Sequence, residues 1–254
     1  LNQISGALYT NDQDVTVDRF FNSQPPSTLH LGSSNLYIGG NCCNCAQFTI
    51  GLFPADFDAG TSTIYMKKSI NPSNQCTYFS GNNLNYYNLV CEATAYVQND
   101  NNFHSATFLK SANIYGNNHF DILTFTSGQV YAFGGGSTQT INPGGILNSN
   151  GTCMDFISLV SAQVGNAAQI EQTAGTVSLN YAVLQDIHAI GGAAFSATNS
   201  ADLGNNTGLT FLPSSSRNLY WVGGGGDWNS AAHWSLLSGG AGGECIPTPF
   251  DNVF

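Results

Sequence analysis

Short apolar clusters separated by polar corners recur along most of the chain, and helical periodicity is absent. The clearest stretch runs from Gly175 to Phe211, where apolar residues alternate with polar or small ones at the period of a half-buried β-strand. Gly and Asn corners follow this strand. We interpret the stretch as the last coil of a β-solenoid. Its alternating apolar residues are Val177, Leu179, Tyr181 and Val183.

The same pattern upstream predicts an all-β fold whose strands are about three to five residues long. A β-sandwich is the competing fold, but its strands are longer and joined by clear hairpins. Asn150-Gly151 is the one two-residue hairpin signal of the Asn-Gly or Asp-Gly kind. We therefore favour parallel stacking. The residues expected to fill its interior are Leu123, Phe125, Val130, Phe133, Val177 and Leu179.

A serine-rich stretch at 214–218 divides the chain. We predict one β-helical module over 1–213, a linker over 214–218 and the beginning of a second module over 219–254. All three tryptophans lie after this boundary. The chain begins at Leu1 without a methionine and stops at Phe254 in mid-pattern, so we expect it to be a segment of a longer polypeptide.

Charged residues make up only 8% of the 254 residues, and 15 acidic residues against 5 basic ones give a net charge of −10. Nucleic-acid binding is therefore not expected, because affinity for phosphate comes from Lys and Arg. No apolar run of about 18 residues predicts a membrane helix.

Seven cysteines indicate an oxidising, extracellular compartment and disulfide bonds, although the pairing cannot be read from the sequence. A zinc site at 42–45 is the weaker alternative, because no CxxC pair or suitably spaced His accompanies it. The disulfide candidates are Cys42, Cys43, Cys45, Cys76, Cys91, Cys153 and Cys245.

Several longer motifs carry a family resemblance. In the C-terminal part they are YWVGG at 220–224, DWN at 227–229, HWS at 233–235, CIP at 245–247 and DNVF at 251–254. In the earlier part they are ALYTN at 7–11, LGSS at 31–34, FDAGTSTI at 57–64, GSTQTI at 136–141 and ADLGNNTG at 201–208. Together they resemble the repeat of giant cell-surface proteins of the Bacteroidota that the type IX system exports, with the end of one repeat followed by the start of the next.

This resemblance implies a right-handed parallel β-helix, an extracellular location at the cell surface, and a structural role in filaments, adhesion or gliding-type attachment. It implies no catalytic residue and no cofactor. It also implies that the partners are adjacent repeats of the same chain, in a homo-oligomer or filament. On this basis Cys245 is expected to pair with a cysteine beyond Phe254. The cysteines at 42–45, 76 and 91 depart from the family pattern and suggest additional cross-linking.

Three other functions compete with a structural role. A glycan-binding surface would use Tyr220, Trp221, Trp228 and Trp234, although packing at the start of a module also explains these residues. A weak calcium site would use Asp12, Asp14 and Asp18, which lack the glycine and glutamate of an EF-hand loop. A β-helix polysaccharide lyase or hydrolase would need clustered acids and a strong base, whereas the five Lys and Arg residues are scattered along the sequence. We therefore predict that the chain is not an enzyme.

Overall fold

The computed structural model describes residues 1–22, 27–39, 46–68, 76–248 and 251–254. These residues contain 28 β-strands, two short 3₁₀ segments at Pro54–Asp56 and Ala231–His233, and no α-helix. The strands are β1 (Asn2–Gln3), β2 (Gly6–Tyr9), β3 (Val15–Val17), β4 (Arg19–Asn22), β5 (Ser27–His30), β6 (Asn35–Ile38), β7 (Ala46–Ile50), β8 (Phe57–Asp58), β9 (Thr63–Met66), β10 (Cys76–Ser80), β11 (Asn85–Cys91), β12 (Thr94–Gln98), β13 (Asn102–Phe108), β14 (Ala112–Ile114), β15 (Asn118–Phe125), β16 (Val130–Phe133), β17 (Thr138–Asn148), β18 (Ile157–Ser161), β19 (Ala168–Gln172), β20 (Thr176–Asn180), β21 (Ala182–Gln185), β22 (Ile187–Gly191), β23 (Ala194–Thr198), β24 (Ala201–Asp202), β25 (Leu209–Leu212), β26 (Asn218–Trp221), β27 (Trp234–Ser235) and β28 (Asn252–Val253).

Two long parallel sheets dominate the fold. The first sheet has the order β1-β4-β7-β10-β12-β14-β16-β18-β21-β24, and the second has the order β3-β6-β9-β11-β13-β15-β17-β19-β22. A third sheet, β2-β5-β8, accompanies the early strands, and a fourth, β20-β23-β25, accompanies the late ones. The predicted all-β class and parallel stacking are confirmed, and the arrangement is consistent with a β-helix-like fold.

The chain visits these sheets in a regular rotation. Early in the chain, successive strands belong to the first, third and second sheets in turn; from β10 to β19 they alternate between the first and second sheets. Each time the chain returns to a sheet, it runs in the same direction and adds a strand beside the previous one, so the pairing is parallel. The third sheet ends at β8, so the repeat shortens from three strands to two at that point.

The interior is lined by one side of each strand. Phenylalanines in register on neighbouring strands stack there: the ring centroids of Phe20 and Phe48 are 5.2 Å apart, and those of Phe48 and Phe79 are 5.1 Å apart. The stack continues to Phe103 and Phe120, whose ring centroids are 5.5 Å apart. These rings supply much of the apolar burial that stabilises the fold.

A row of buried amides also runs from strand to strand. The Asn101 Nδ2 donates to Asn118 Oδ1 at 3.0 Å, and the Asn118 Nδ2 donates to Gln139 Oε1 at 3.1 Å. All three side chains are buried. Because a buried amide without a partner costs free energy, this row favours one alignment of the stacked turns.

Two details of the predicted interior are wrong. Val130 is 48% exposed, because Tyr131 and Phe133 take the inward positions of β16 and strand alternation turns Val130 outward. The strand predicted through Val183 ends at Asn180. Tyr181 lies there with a positive φ of 50°, so the inward positions that follow are Ala182 and Leu184.

The other predicted interior residues, Leu123, Phe125, Phe133, Val177 and Leu179, are buried. The stretch 175–211, interpreted as one last coil, contains β20, β23 and most of β25, which lie side by side in that order in the fourth sheet. It therefore holds more than one turn of the stack.

Candidate functional site in the C-terminal segment

Strand β26 organises the C-terminal segment. It pairs in antiparallel fashion with β27, which places Trp221 opposite Trp234, and in parallel fashion with β28, which places Leu219 opposite Val253. Leu219 and Trp234 are buried. This small sheet brings together aromatic residues that lie far apart in the sequence.

The three tryptophans form one cluster. The ring of Trp234 is edge-on to Trp228 at 4.6 Å and to Trp221 at 5.2 Å. Trp221 also stacks on the ring of His233, with ring centroids 4.7 Å apart and an interplanar angle of 7°. Trp234, which contacts both other indoles, is 1% exposed, whereas Trp228 is 51% exposed. Trp228 thus presents the largest free indole surface.

An open hollow of about 350 Å³ lies over this cluster, and Val253 and Phe254 complete its lining. The Trp234 Nε1 donates to the Trp228 carbonyl at 2.8 Å, and the Trp221 Nε1 donates to the Gly224 carbonyl. With these N–H groups already engaged, the hollow offers aromatic faces rather than polar groups to a ligand. Any ligand would therefore be held mainly by its apolar surface.

Of the four residues predicted to bind glycans, the structure places Trp221, Trp228 and Trp234 around this hollow. Tyr220 lies outside its lining and stacks on Phe254, with ring centroids 5.1 Å apart. The contribution of Val253 and Phe254 could not be read from the sequence pattern, because it depends on the pairing of β26 with β28. Glycan binding by these residues stays a prediction.

An ion pair between Arg217 and Asp251, which we call the clamp, connects the two ends of the same segment. The carboxylate of Asp251 accepts two hydrogen bonds from the Arg217 guanidinium, at 3.1 Å from Nε and 2.7 Å from Nη2, and a third from the Arg217 backbone N–H at 2.9 Å. The backbone N–H and hydroxyl of Thr248 donate two more, at 2.8 and 2.9 Å. The Asp251 side chain is 1% exposed. The Arg217–Asp251 clamp therefore ties both ends of the segment together.

Electrostatics in the clamp favour the ionised carboxylate. Burial by itself would raise the pKa of Asp251, but the hydrogen bonds from Arg217 and Thr248 outweigh it and hold that pKa well below its usual range. In turn, the hydrogen bond to Asp251 raises the pKa of Arg217. This pair could not be predicted from the sequence, since 34 residues separate its members and no local motif connects them.

A disulfide bond fastens the segment to the β-sheet body. Cys245 pairs with Cys153, 92 residues earlier, with a Cα–Cα distance of 5.7 Å. The expectation that Cys245 pairs beyond Phe254 is therefore wrong, because the segment folds back onto the loop before β18. A crevice of about 420 Å³ lies beside this bond, lined by residues that include Phe156, Tyr181 and Arg217.

The remaining cysteines differ in their state. Cys91 is a buried free thiol, so its prediction as a disulfide partner is wrong. Its side chain lies on the buried side of β11, and burial raises the pKa of the thiol. Cys76 is disulfide-bonded. Cys42, Cys43 and Cys45 lie outside the described residues.

Of the three aspartates predicted as a weak calcium site, Asp12 and Asp14 accept hydrogen bonds from the backbone of the next turn. Asp12 Oδ1 accepts the backbone N–H of Ser33 at 2.7 Å, and Asp14 Oδ1 accepts that of Asn35 at 3.2 Å. Asp18 lines a different, open surface near Arg19. Within the described ranges, no group of three or more His, Cys, Asp or Glu side chains is placed to hold a metal ion. The structure thus supplies a turn-stabilising role for Asp12 and Asp14.

Two of the basic residues that a lyase would need are paired with carboxylates. Arg217 belongs to the clamp, and Lys67 Nζ lies 2.6 Å from Glu92 Oε1.

Searches against protein-family models, curated proteins and solved structures found no significant match to this chain. Among the described residues, no helix is long and apolar enough to cross a membrane.

Proposed function

We propose that this chain is a shaft segment of a giant extracellular protein at the cell surface, in a filament or adhesin that attaches cells to surfaces or to other cells. In this proposal the parallel sheets form a right-handed β-helix, and its ends stack against adjacent repeats of the same chain. The observation that carries the proposal is the unbroken parallel pairing of successive strands in two long sheets.

Stacking of this kind suits a mechanical role. Hydrogen bonds between neighbouring strands point along the direction in which the strands accumulate. In the register of β11, β13 and β15, each turn of the chain is joined to the next by a row of such bonds. Tension along this direction is therefore shared by many parallel bonds, and the interior phenylalanine stack resists bending.

An extracellular location is supported by the Cys153–Cys245 bond, since disulfides persist in oxidising compartments. The bond also anchors the C-terminal segment, which suits a protein exposed to shear and proteases. Export by the type IX system and an origin in the Bacteroidota remain part of the proposal, supported by the motifs at 220–254 and 201–208.

Negative-stain microscopy of the native full-length protein, as released from cells, tests the shaft. We expect long uniform rods or multi-chain fibres. Compact isolated particles would rule out a shaft and would direct attention to binding or cleavage of polysaccharides.

A second candidate function, glycan binding by the C-terminal segment, is favoured by the open hollow over the tryptophan cluster. A glycan array tests it with Trp228→Ala as the decisive variant, because Trp228 is half exposed and its removal leaves buried Trp234 in place. Binding that is equally strong with and without Trp228 would exclude this hollow as the binding site.

A further inference from the structure

Two rows of the same three residue types, Tyr, His and Asp, run across neighbouring strands on the outside of the fold. In the first row Tyr9, His30 and Asp58 are direct register partners on β2, β5 and β8. The rings of Tyr9 and His30 stack with centroids 4.6 Å apart, and His30 Nδ1 lies 3.7 Å from Asp58 Oδ2. We call this the first ladder.

The second ladder repeats the arrangement on β11, β13 and β15 with Tyr87, His104 and Asp121. The rings of Tyr87 and His104 stack at 4.4 Å, and His104 Nδ1 lies 2.9 Å from Asp121 Oδ2. In both ladders the imidazole stacks on one face of the tyrosine ring, and in the second ladder the imidazole is itself within hydrogen-bond distance of the Asp121 carboxylate. Tyr87 is thereby restrained and has less side-chain entropy to lose on binding.

The two ladders meet at an open hollow of about 260 Å³. Its lining includes Asp58 from the first ladder, Tyr87 from the second, and Asn85, which is exposed at the start of β11. The hollow exists because the third sheet ends at β8 and the next turn of the chain is narrower, leaving a step on the surface. Gly60 also lines the hollow, with φ +53°, and a Cβ there would come within 2.2 Å of the Gly32 carbonyl oxygen, so this position requires glycine.

The groups around the hollow suit a ligand with both apolar C–H surface and hydroxyl groups. Tyr87 supplies an aromatic ring, the carboxylate of Asp58 accepts hydrogen bonds, and the amide of Asn85 both donates and accepts them. The Asp58 side chain is 63% exposed, and one of its oxygens is already fixed by the Gly60 N–H at 2.9 Å. A rigid aromatic ring beside a few convergent polar groups is the usual composition of a small-molecule site, and the volume of about 260 Å³ lies slightly below the roughly 300–1,000 Å³ of such sites.

We propose that this hollow binds one ring of a neutral carbohydrate chain. A sugar ring presents C–H groups on one side for Tyr87 and hydroxyl groups at its edge for Asp58 and Asn85. The neighbouring carboxylate and the net charge of −10 disfavour uronic acids and other anionic sugars. This site is separate from the tryptophan cluster and does not depend on the shaft proposal.

Saturation-transfer NMR and calorimetry of the full chain test the proposal, with cellotetraose, xylotetraose and mannotetraose as neutral probes and trigalacturonate as the anionic one. We expect at least one neutral probe to bind and the anionic one to bind at least tenfold more weakly. Tyr87→Ala and Asp58→Asn should each weaken the neutral probe at least tenfold. Asp58→Asn retains an oxygen for the Gly60 N–H, so it remains informative if Tyr87→Ala folds poorly.

Two control variants locate the binding. Tyr96 stacks on Tyr78 on the outside of the first sheet, with ring centroids 4.8 Å apart, so Tyr96→Ala removes a comparable surface stack elsewhere. Trp228→Ala removes the exposed ring of the tryptophan cluster. Tyr96→Ala should leave the affinity unchanged, and the loss caused by Asp58→Asn should be equally large in the Trp228→Ala background, where the exposed ring of the tryptophan cluster is absent. Failure of every neutral probe to bind, or loss of binding in Trp228→Ala but not in Asp58→Asn, would overturn the proposal.

Discussion

Replacing Asp251 with asparagine tests how the C-terminal segment is held together. The carboxylate accepts five hydrogen bonds: Oδ1 receives two from Arg217, and Oδ2 receives one from Arg217 and two from Thr248. Asparagine keeps one oxygen and turns an NH₂ group toward the remaining donors. The variant therefore loses the ion pair and leaves at least two donors without an acceptor.

The magnitude follows from these contacts. A hydrogen bond to a charged group contributes about 1.5–3 kcal/mol, and breaking a buried ion pair costs about 3–5 kcal/mol. Because Arg217 is 24% exposed, water compensates part of the loss, and we expect Asp251→Asn to destabilise the segment by about 3 kcal/mol. This corresponds to a roughly 100-fold larger population of the locally open state.

Native-state hydrogen exchange measures this population directly. The amides of Asn252 and Phe254 donate to Arg217 and Leu219 across β26 and β28, so their exchange should accelerate about 100-fold in the variant. Asp227→Asn is the matched control: Asp227 is exposed in the same segment and accepts a single bond from the Asn229 N–H at 2.9 Å. Equal exchange rates in the two variants would refute a stabilising role for the clamp.

The clamp also predicts a dependence on pH. Since the folded-state pKa of Asp251 is depressed, its contribution is complete above the ordinary carboxyl pKa of about 3.9 and is lost as the pH falls further through the folded value. Exchange at Asn252 should therefore accelerate in acid beyond its intrinsic trend. In Asp251→Asn this additional acid dependence should disappear.

Three further predictions concern the β-sheet body and its link to the segment. Phe103→Ala removes a buried ring that packs against Phe79 and Phe120, and it should cost about 4 kcal/mol in denaturant unfolding, against less than about 0.5 kcal/mol for the exposed control Val130→Ala. Asn118→Ala breaks the buried amide row and should lower the free energy of unfolding by about 3 kcal/mol. The control Asn148→Ala removes an exposed amide, and an equally large loss of stability in that variant would show that the buried row has no special stabilising role. Cys245→Ser should destabilise the C-terminal segment by about 3 kcal/mol and expose it to limited proteolysis, and protection as strong as in the parent chain would show that the disulfide is dispensable.

The strand pattern could be predicted from the sequence because strand alternation and polar corners are local signals. The locations of the corners were harder to predict. Tyr181 continues an alternating apolar pattern, yet it adopts a positive φ at a turn between β20 and β21. A bulky aromatic residue does not predict a positive φ, because this backbone conformation is usually occupied by Gly or Asn.

The candidate sites were predictable only in part, because they depend on contacts between distant residues. The tryptophans were evident from their clustering in the sequence, but the position of Phe254 beside them and that of Asp251 beside Arg217 follow from the pairing of β26 with β28. The Cys153–Cys245 pair and the step at β8 similarly depend on how the turns of the chain stack. No local spacing encodes these relations.

The regular register in the middle of the fold also bears on how such a chain can change in length during evolution. Asn85, Asn102 and His119 are successive partners in the second sheet, so each turn in this region spans 17 residues. Deleting residues 102–118 would remove one strand from each long sheet and bring His119 beside Asn85 in the same alignment. Duplicating the same stretch would add a turn without disturbing the others. Unequal recombination could therefore lengthen or shorten this protein one turn at a time, while the remaining turns keep their alignment.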